Sequence, residues 1–307
     1  MILSITTLSL LLSHFIYTSS AQTFISAQDP RVLVSGRTQL NSDGVSRSFD
    51  WEGIVFYITV TGSGPVYLNV TSSAGNVNRV ITDIRAGGQW YQSSRLWINQ
   101  GSNLLEVAMA EGNTDDNVIR CFFELEPSFT NTDANGYFTV YGFQLSSGAA
   151  IGAPITQLTR NIEIIGDSIS AGYGSTGNGG GCPVNSWTSS NYYTYDQFIC
   201  RQFNANCSVV AWSGKGMYQN CCDNGETVPS YYLQTRGGNA YVSDWDFSRF
   251  VPDALIINLG TNDFGHDSGP AWEKNFTDTY IQFVLNATSR YNNPKMPVFL
   301  GQGKYFT

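Results

Sequence analysis

Ile162-Glu163-Ile164-Ile165-Gly166-Asp167-Ser168-Ile169-Ser170 is the stretch on which the fold turns. Its continuous apolar run, Ile162–Ile165, has the composition of a strand buried on both faces, and the Gly-Asp-Ser that follows is a tight turn at the strand's carboxyl end. Comparable runs stand at Val209–Trp212, Leu255–Leu259 and Val298–Leu300. Helical patterns lie between them: Tyr195, Ile199 and Phe203 near Tyr192–Phe203, and Trp272, Phe276, Tyr280 and Phe283 within Trp272–Tyr291. Strands alternating with helices predict a parallel sheet and an α/β domain over residues 159–307.

Upstream the pattern is different. In Ile54–Val60, residues Ile54, Phe56, Ile58 and Val60 fall on one face, and in Val66–Thr71 the apolar Val66, Leu68 and Val70 alternate with Tyr67, Asn69 and Thr71. Short runs at Leu104–Ala110, Cys121–Leu125 and Tyr137–Leu145 follow, divided by Gly, Asn, Asp and Ser clusters, with no long helix. Many short strands at this spacing predict a β-sandwich or jelly roll over residues 22–148. A small-residue linker, 149–158, joins the two halves.

Residues 1–21 read as a signal peptide: an apolar stretch, 2–17, too short to span a bilayer stably, then Ser19-Ser20-Ala21 as a cleavage pattern. A formal charge of −8 argues against nucleic acid and an anionic membrane surface as partners. The six cysteines and the sequons at Asn69, Asn206, Asn275 and Asn286 fit a secreted, disulfide-bonded glycoprotein. No Cys-x2-Cys pair exists and only two histidines occur, so a metal site is not expected. Pairing of the cysteines and oligomeric state stay open.

In an open α/β sheet, ligands bind beyond the carboxyl ends of the strands. Three such ends carry polar blocks here: Gly166-Asp167-Ser168, Ser213-Gly214-Lys215-Gly216 and Gly260-Thr261-Asn262-Asp263. Acyl transfer needs a nucleophile and donors aimed where an oxyanion forms. Ser168 is the candidate nucleophile, and the N–H groups of Ser168 and Gly214 with the Asn262 amide are the candidate donors. Gly216 competes with Gly214 for that role, and Asp167 and Asp263 are expected to hold loops through backbone N–H groups. Gly172-Tyr173-Gly174-Ser175-Thr176-Gly177 has the spacing of a dinucleotide fingerprint but is followed by a loop rich in Gly, Asn and Ser, so no cofactor is expected.

With these blocks the chain resembles the SGNH hydrolase family. Val34-Ser35-Gly36-Arg37-Thr38, Phe49-Asp50-Trp51-Glu52-Gly53, Ala211-Trp212-Ser213-Gly214-Lys215-Gly216 and Pro252-Asp253-Ala254 further resemble carbohydrate esterase family 2. The resemblance covers nearly all of the chain after the signal peptide. It implies a jelly roll followed by a flavodoxin-like three-layer domain, and removal of O-acetyl groups from xylan or related polysaccharides without metal or organic cofactor.

The sequence departs from that pattern at one point. The family's base is a C-terminal histidine, usually within Asp-x-x-His, and no histidine follows His266 before Thr307. His266, four residues after Asn262, could stand in, but the ordinary reading is a loop histidine beside the site. The expectation is therefore a hydrolase domain truncated at its C-terminus. A catalytically inactive carbohydrate-binding relative is the alternative, and a lipase or thioesterase on the same scaffold is a weaker one.

Overall fold

The computed structural model describes residues 22–73, 78–112, 117–127, 136–156, 158–238, 242–265, 269–293 and 295–301. The expected signal peptide and His266 lie outside the described residues.

Among the described residues, the first half is two antiparallel sheets of six strands each. One sheet runs outward from Phe138–Leu145 and Gly64–Ser72, the other from Val55–Gly62, Val118–Phe123 and Asn78–Ala86. A single hydrophobic core joins them, with Phe49, Phe56, Leu68, Phe123, Phe138 and Phe143 all sealed from solvent. The alternation read in Val66–Thr71 holds, with Val66, Leu68 and Val70 buried and Asn69 half-buried on the other face. Two long strands escape the sequence reading, Asn78–Ala86 and Gln89–Ile98. Both mix charged and polar side chains into their apolar positions, and Asn78, Arg79, Thr82 and Asp83 are buried by partners, not by an apolar pattern. The first residues of the expected linker, Ala149–Ile151, pair antiparallel with Val60–Gly62 and extend the sandwich.

The second half is a parallel sheet in which the Arg160–Gly166 strand is flanked by Ala205–Ala211 on one side and Ala254–Asn258 on the other, with Val298–Gly301 outermost. In chain order this is 2-1-3-4, the arrangement whose reversal point forms a ligand crevice at the strand ends. The helices Tyr195–Gln202 and Pro270–Ser289 accompany the sheet, close to the segments read from the spacing. Gly172–Gly177 opens no helix; Gly172 ends one.

The halves are locked along one seam. Trp51 is fully buried, packs at a tilt with ring centroids 5.8 Å from Trp212 and 5.9 Å from Tyr231, and donates its indole N–H to the Thr235 carbonyl at 2.9 Å. The neighbouring Asp50 carboxylate accepts the N–H groups of Gly237 and Gly238 at 3.0 and 2.7 Å. Arg37 reaches from the sandwich to Glu163 inside the parallel sheet, a fully buried ion pair at 3.0 Å. The Val55–Gly62 strand is consequently buried on both faces over its first six residues, although the sandwich core accounts for only one of them.

Candidate active site

Three strand ends stand level. Gly166 is in register with Ala211 on one side and Asn258 on the other. Ser168, Gly214 and Asn262 follow these residues by two, three and four positions, so all three blocks rise from one end of the sheet.

The turn at Ser168 is dictated locally. A Cβ on Gly166 would lie 2.1 Å from the Ser170 hydroxyl oxygen, so the strand leaves the sheet here only as glycine. Asp167 caps the four-residue helix Ser168–Ala171, its Oδ1 accepting the Ile169 N–H at 2.9 Å. As the helix's first residue, Ser168 has no intrahelical acceptor for its own N–H. The Ser168 side chain is half-exposed, whereas Asp167 beneath it is sealed. Burial raises the Asp167 carboxyl to about 6, helped by the nearby Asp263 and opposed by the Ile169 N–H.

Gly214 adopts φ +83°, a left-handed conformation that L side chains rarely adopt. Its carbonyl accepts the Cys221 N–H at 3.0 Å, while its own N–H finds no acceptor among the described residues. The N–H of Gly216, by contrast, is spent on Asn220 Oδ1 at 3.1 Å. That difference favours Gly214 as the available donor. Asn262 is nearly buried and donates one amide hydrogen to the Lys215 carbonyl at 2.7 Å, which ties it to the Gly214 loop. An amide NH2 has a second hydrogen to offer.

The loop itself is held from two directions. Asp263 accepts three consecutive backbone N–H groups, Met217 at 2.9 Å, Tyr218 at 2.6 Å and Gln219 at 2.8 Å. From the sandwich, Glu126 accepts the Ser213 N–H at 2.6 Å. Burial raises the Glu126 carboxyl to about 7, against the pull of that N–H. Glu52, also sealed, is raised well above the carboxylate range by burial first and by Glu126 second. Sequence reading missed both glutamates as part of this region, because nothing in a strand-end motif points to a side chain arriving from another domain. Cys221–Cys222 form a disulfide between neighbouring residues in the same loop, and Cys200–Cys207 stitch the Tyr195–Gln202 helix to the next strand. Cys121 and Cys182 are free thiols. The loop that follows Gly172–Gly177 contains Cys182, so no disulfide staples it.

Among the described residues there is no histidine and no cluster of His, Cys, Asp and Glu arranged to hold a metal ion. The arrangement is a half-exposed hydroxyl with backbone and amide donors at the same sheet end, which is equipment for acyl transfer.

Comparison with known proteins agrees. The model of the GDSL-like lipase/acylhydrolase family matches residues 164–306. An acetylxylan esterase / glucomannan deacetylase of Cellvibrio japonicus is 27% identical over 292 residues, covering 91% of this chain and 73% of that protein. The solved structure of a family two carbohydrate esterase from Cellvibrio japonicus superposes with a TM-score of 0.79 at 22% identity, over 94% of this chain and 81% of the other. A family two carbohydrate esterase from Clostridium thermocellum in complex with cellohexaose has a TM-score of 0.75 at 24% identity, over 90% and 78%.

Proposed function

We propose that this chain is an SGNH/GDSL hydrolase of the carbohydrate esterase family 2, acetylxylan-esterase-like type, and a secreted serine esterase that removes O-acetyl groups from xylan or a related polysaccharide. The observation that carries the reading is the level set of strand ends bearing Ser168, Gly214 and Asn262, with the Gly214 N–H unspent and the Gly216 N–H spent.

In this reading the Ser168 Oγ attacks the acetyl carbonyl carbon, and the carbonyl oxygen takes negative charge as the tetrahedral centre forms. The N–H groups of Ser168 and Gly214 and the free hydrogen of the Asn262 amide receive that charge. The sugar oxygen leaves with a proton, the acetyl group stays on Ser168, and water then releases acetate by the same steps in reverse order. A base must take the serine proton. The chain's two histidines, His14 and His266, both lie outside the described residues. Preorganised donors act without reorganising during the reaction, which is the value of the Asp263 and Glu126 anchors beneath the loop.

Export is supported by the apolar stretch 2–17 and by the exposure of the sequon residues Asn275 and Asn286 on one helix. Asn206 is a poorer glycan acceptor, since its side chain bonds Ser35 across the seam.

The test is acetate release from acetylated xylan and acetylated glucomannan, by wild type and Ser168→Ala. Turnover by the wild type that Ser168→Ala abolishes supports the proposal. Saccharide binding without acetate release from any of these substrates replaces it with a non-catalytic binding role, and faster cleavage of long-chain acyl esters than of acetates replaces it with a lipase-type activity.

A further inference from the structure

A cavity of about 270 Å³ lies in the seam, walled by Tyr57, Trp90 and Arg120 from the sandwich and by Tyr192, Gln197 and Arg201 from the other half. That is just below the roughly 300–1,000 Å³ of small-ligand pockets. Ala205 and Cys207 line it at the amino-terminal end of the parallel sheet, whereas Ser168 stands beyond the carboxyl end. The strand Ala205–Ala211 puts about 20 Å between those levels at ~3.3 Å per residue.

Two guanidinium groups face this space. Arg120 is matched: its Nε donates to Asp83 Oδ2 at 2.5 Å, and the Tyr192 hydroxyl donates to the same carboxylate at 3.1 Å. Arg201 makes no ion pair among the described residues. It donates Nη1 to the Tyr192 carbonyl at 2.9 Å and lies over the rings of Tyr192 and Phe198 at 4.5 and 4.8 Å. Burial lowers the Arg201 pKa, Arg120 adds to that, and Tyr192, Asp83 and Asp196 offset part of it. The cavity thus holds a cation without a carboxylate in contact, a state that an incoming anion relieves. A second unspent group points the same way. Gln197 is 5% exposed, and its Nε2 has no hydrogen-bond partner among the described residues. A buried amide donor without an acceptor costs free energy that a ligand oxygen would return. Trp90 and Tyr57, 6.5 Å apart and edge to face, supply apolar surface beside these donors.

We propose that this cavity is a binding site, separate from the acyl-transfer cleft, for a small organic carboxylate on a ring-sized body. The carboxylate lies on Arg201 and Gln197 Nε2, and the ring lies against Trp90 and Tyr57. Since both halves line the cavity, occupancy holds them together and raises the unfolding temperature.

The probes are benzoate and D-glucuronate, with benzyl alcohol and glucose as uncharged counterparts, measured by calorimetry and thermal unfolding on the full chain. At least one carboxylate is expected to bind ten times more tightly than its neutral counterpart and to raise the unfolding temperature. Arg201→Gln should weaken that binding tenfold or more, while Ser168→Ala should leave it unchanged. Binding of neither carboxylate overturns the proposal, as does equal binding of the neutral compounds, binding indifferent to Arg201→Gln, or binding lost in Ser168→Ala. Should Arg201→Gln not fold, Gln197→Met replaces it; a several-fold loss supports the site and unchanged affinity rejects it.

Discussion

The ion pairs of the seam and the carboxyl end of the parallel sheet are both built from polar groups, yet they treat them in opposite ways. In the seam, Arg37 is fully buried with its charge met by Glu163, and its guanidinium lies 4.5 Å over the Tyr232 ring. The Glu163 carboxylate also accepts the hydroxyls of Tyr232 at 2.8 Å and Tyr291 at 2.5 Å. Arg79 and Arg95 close on Glu124 in the same manner. At the sheet end, Ser168 is half-exposed and the Gly214 N–H is unspent. Saturated polar groups hold a structure together, because any gap would strand a buried charge. Unsaturated ones near solvent are held open for a ligand, and their neighbours carry the cost of keeping them still.

Four experiments would break or sharpen this contrast. The largest effect is expected from Ser168→Ala, which should lower kcat/KM for acetyl ester hydrolysis by at least about 10³-fold while leaving the unfolding temperature in place. A large loss of stability would mean that the serine belongs to the saturated class after all. Next, Arg37→Met leaves Glu163 buried without its cation and should cost about 3–5 kcal/mol of stability, read as a shift in denaturant midpoint. Adding Glu163→Leu to it should recover much of that loss, and per folded molecule the turnover of acetyl esters should stay near wild type. Third, Asn262→Ala should cost about 2.7–4 kcal/mol of transition-state stabilisation, or 10²–10³ in kcat. A change confined to KM would instead assign Asn262 to substrate binding.

The smallest effect concerns Glu126, which belongs to both regions. Its carboxyl, raised to about 7 by burial, holds its proton more tightly in the folded chain than in the unfolded one. The stability associated with it is therefore present below its unfolded pKa of about 4.3 and is lost as pH rises through about 7. Asp167, at about 6, and Asp196, at about 7, are raised mainly by burial and act in the same direction. Unfolding temperature should fall between about pH 5 and pH 8, and Glu126→Gln should flatten that fall without removing it. An unchanged slope in the variant would show that Glu126 does not titrate in this range.

Much of this organisation is legible before any coordinates. Four apolar runs and two helical patterns mark the α/β half, because a strand covered on both faces must be apolar throughout. Ser168, Gly214 and Asn262 are legible for a related reason. Parallel strands all end on one side of the sheet, so residues just after each run are neighbours whatever the length of chain between them. Gln89–Ile98 was not legible, since an exposed, polar strand carries no apolar alternation to find.

The amino-acid order alone settled the two halves, the turn at Ser168 and the strand ends that meet around it, because those depend on local patterning and on the direction of a parallel sheet. Folding in three dimensions decided the rest. That Gly214 and not Gly216 keeps a free N–H depends on where Asn220 falls. That Glu126 reaches beneath the loop from another domain, and that Arg201 is left without an acid, depends on how the halves dock. Long-range partnership of this kind leaves no periodic signal in the chain. It is set by packing, where a charge is either met or left open.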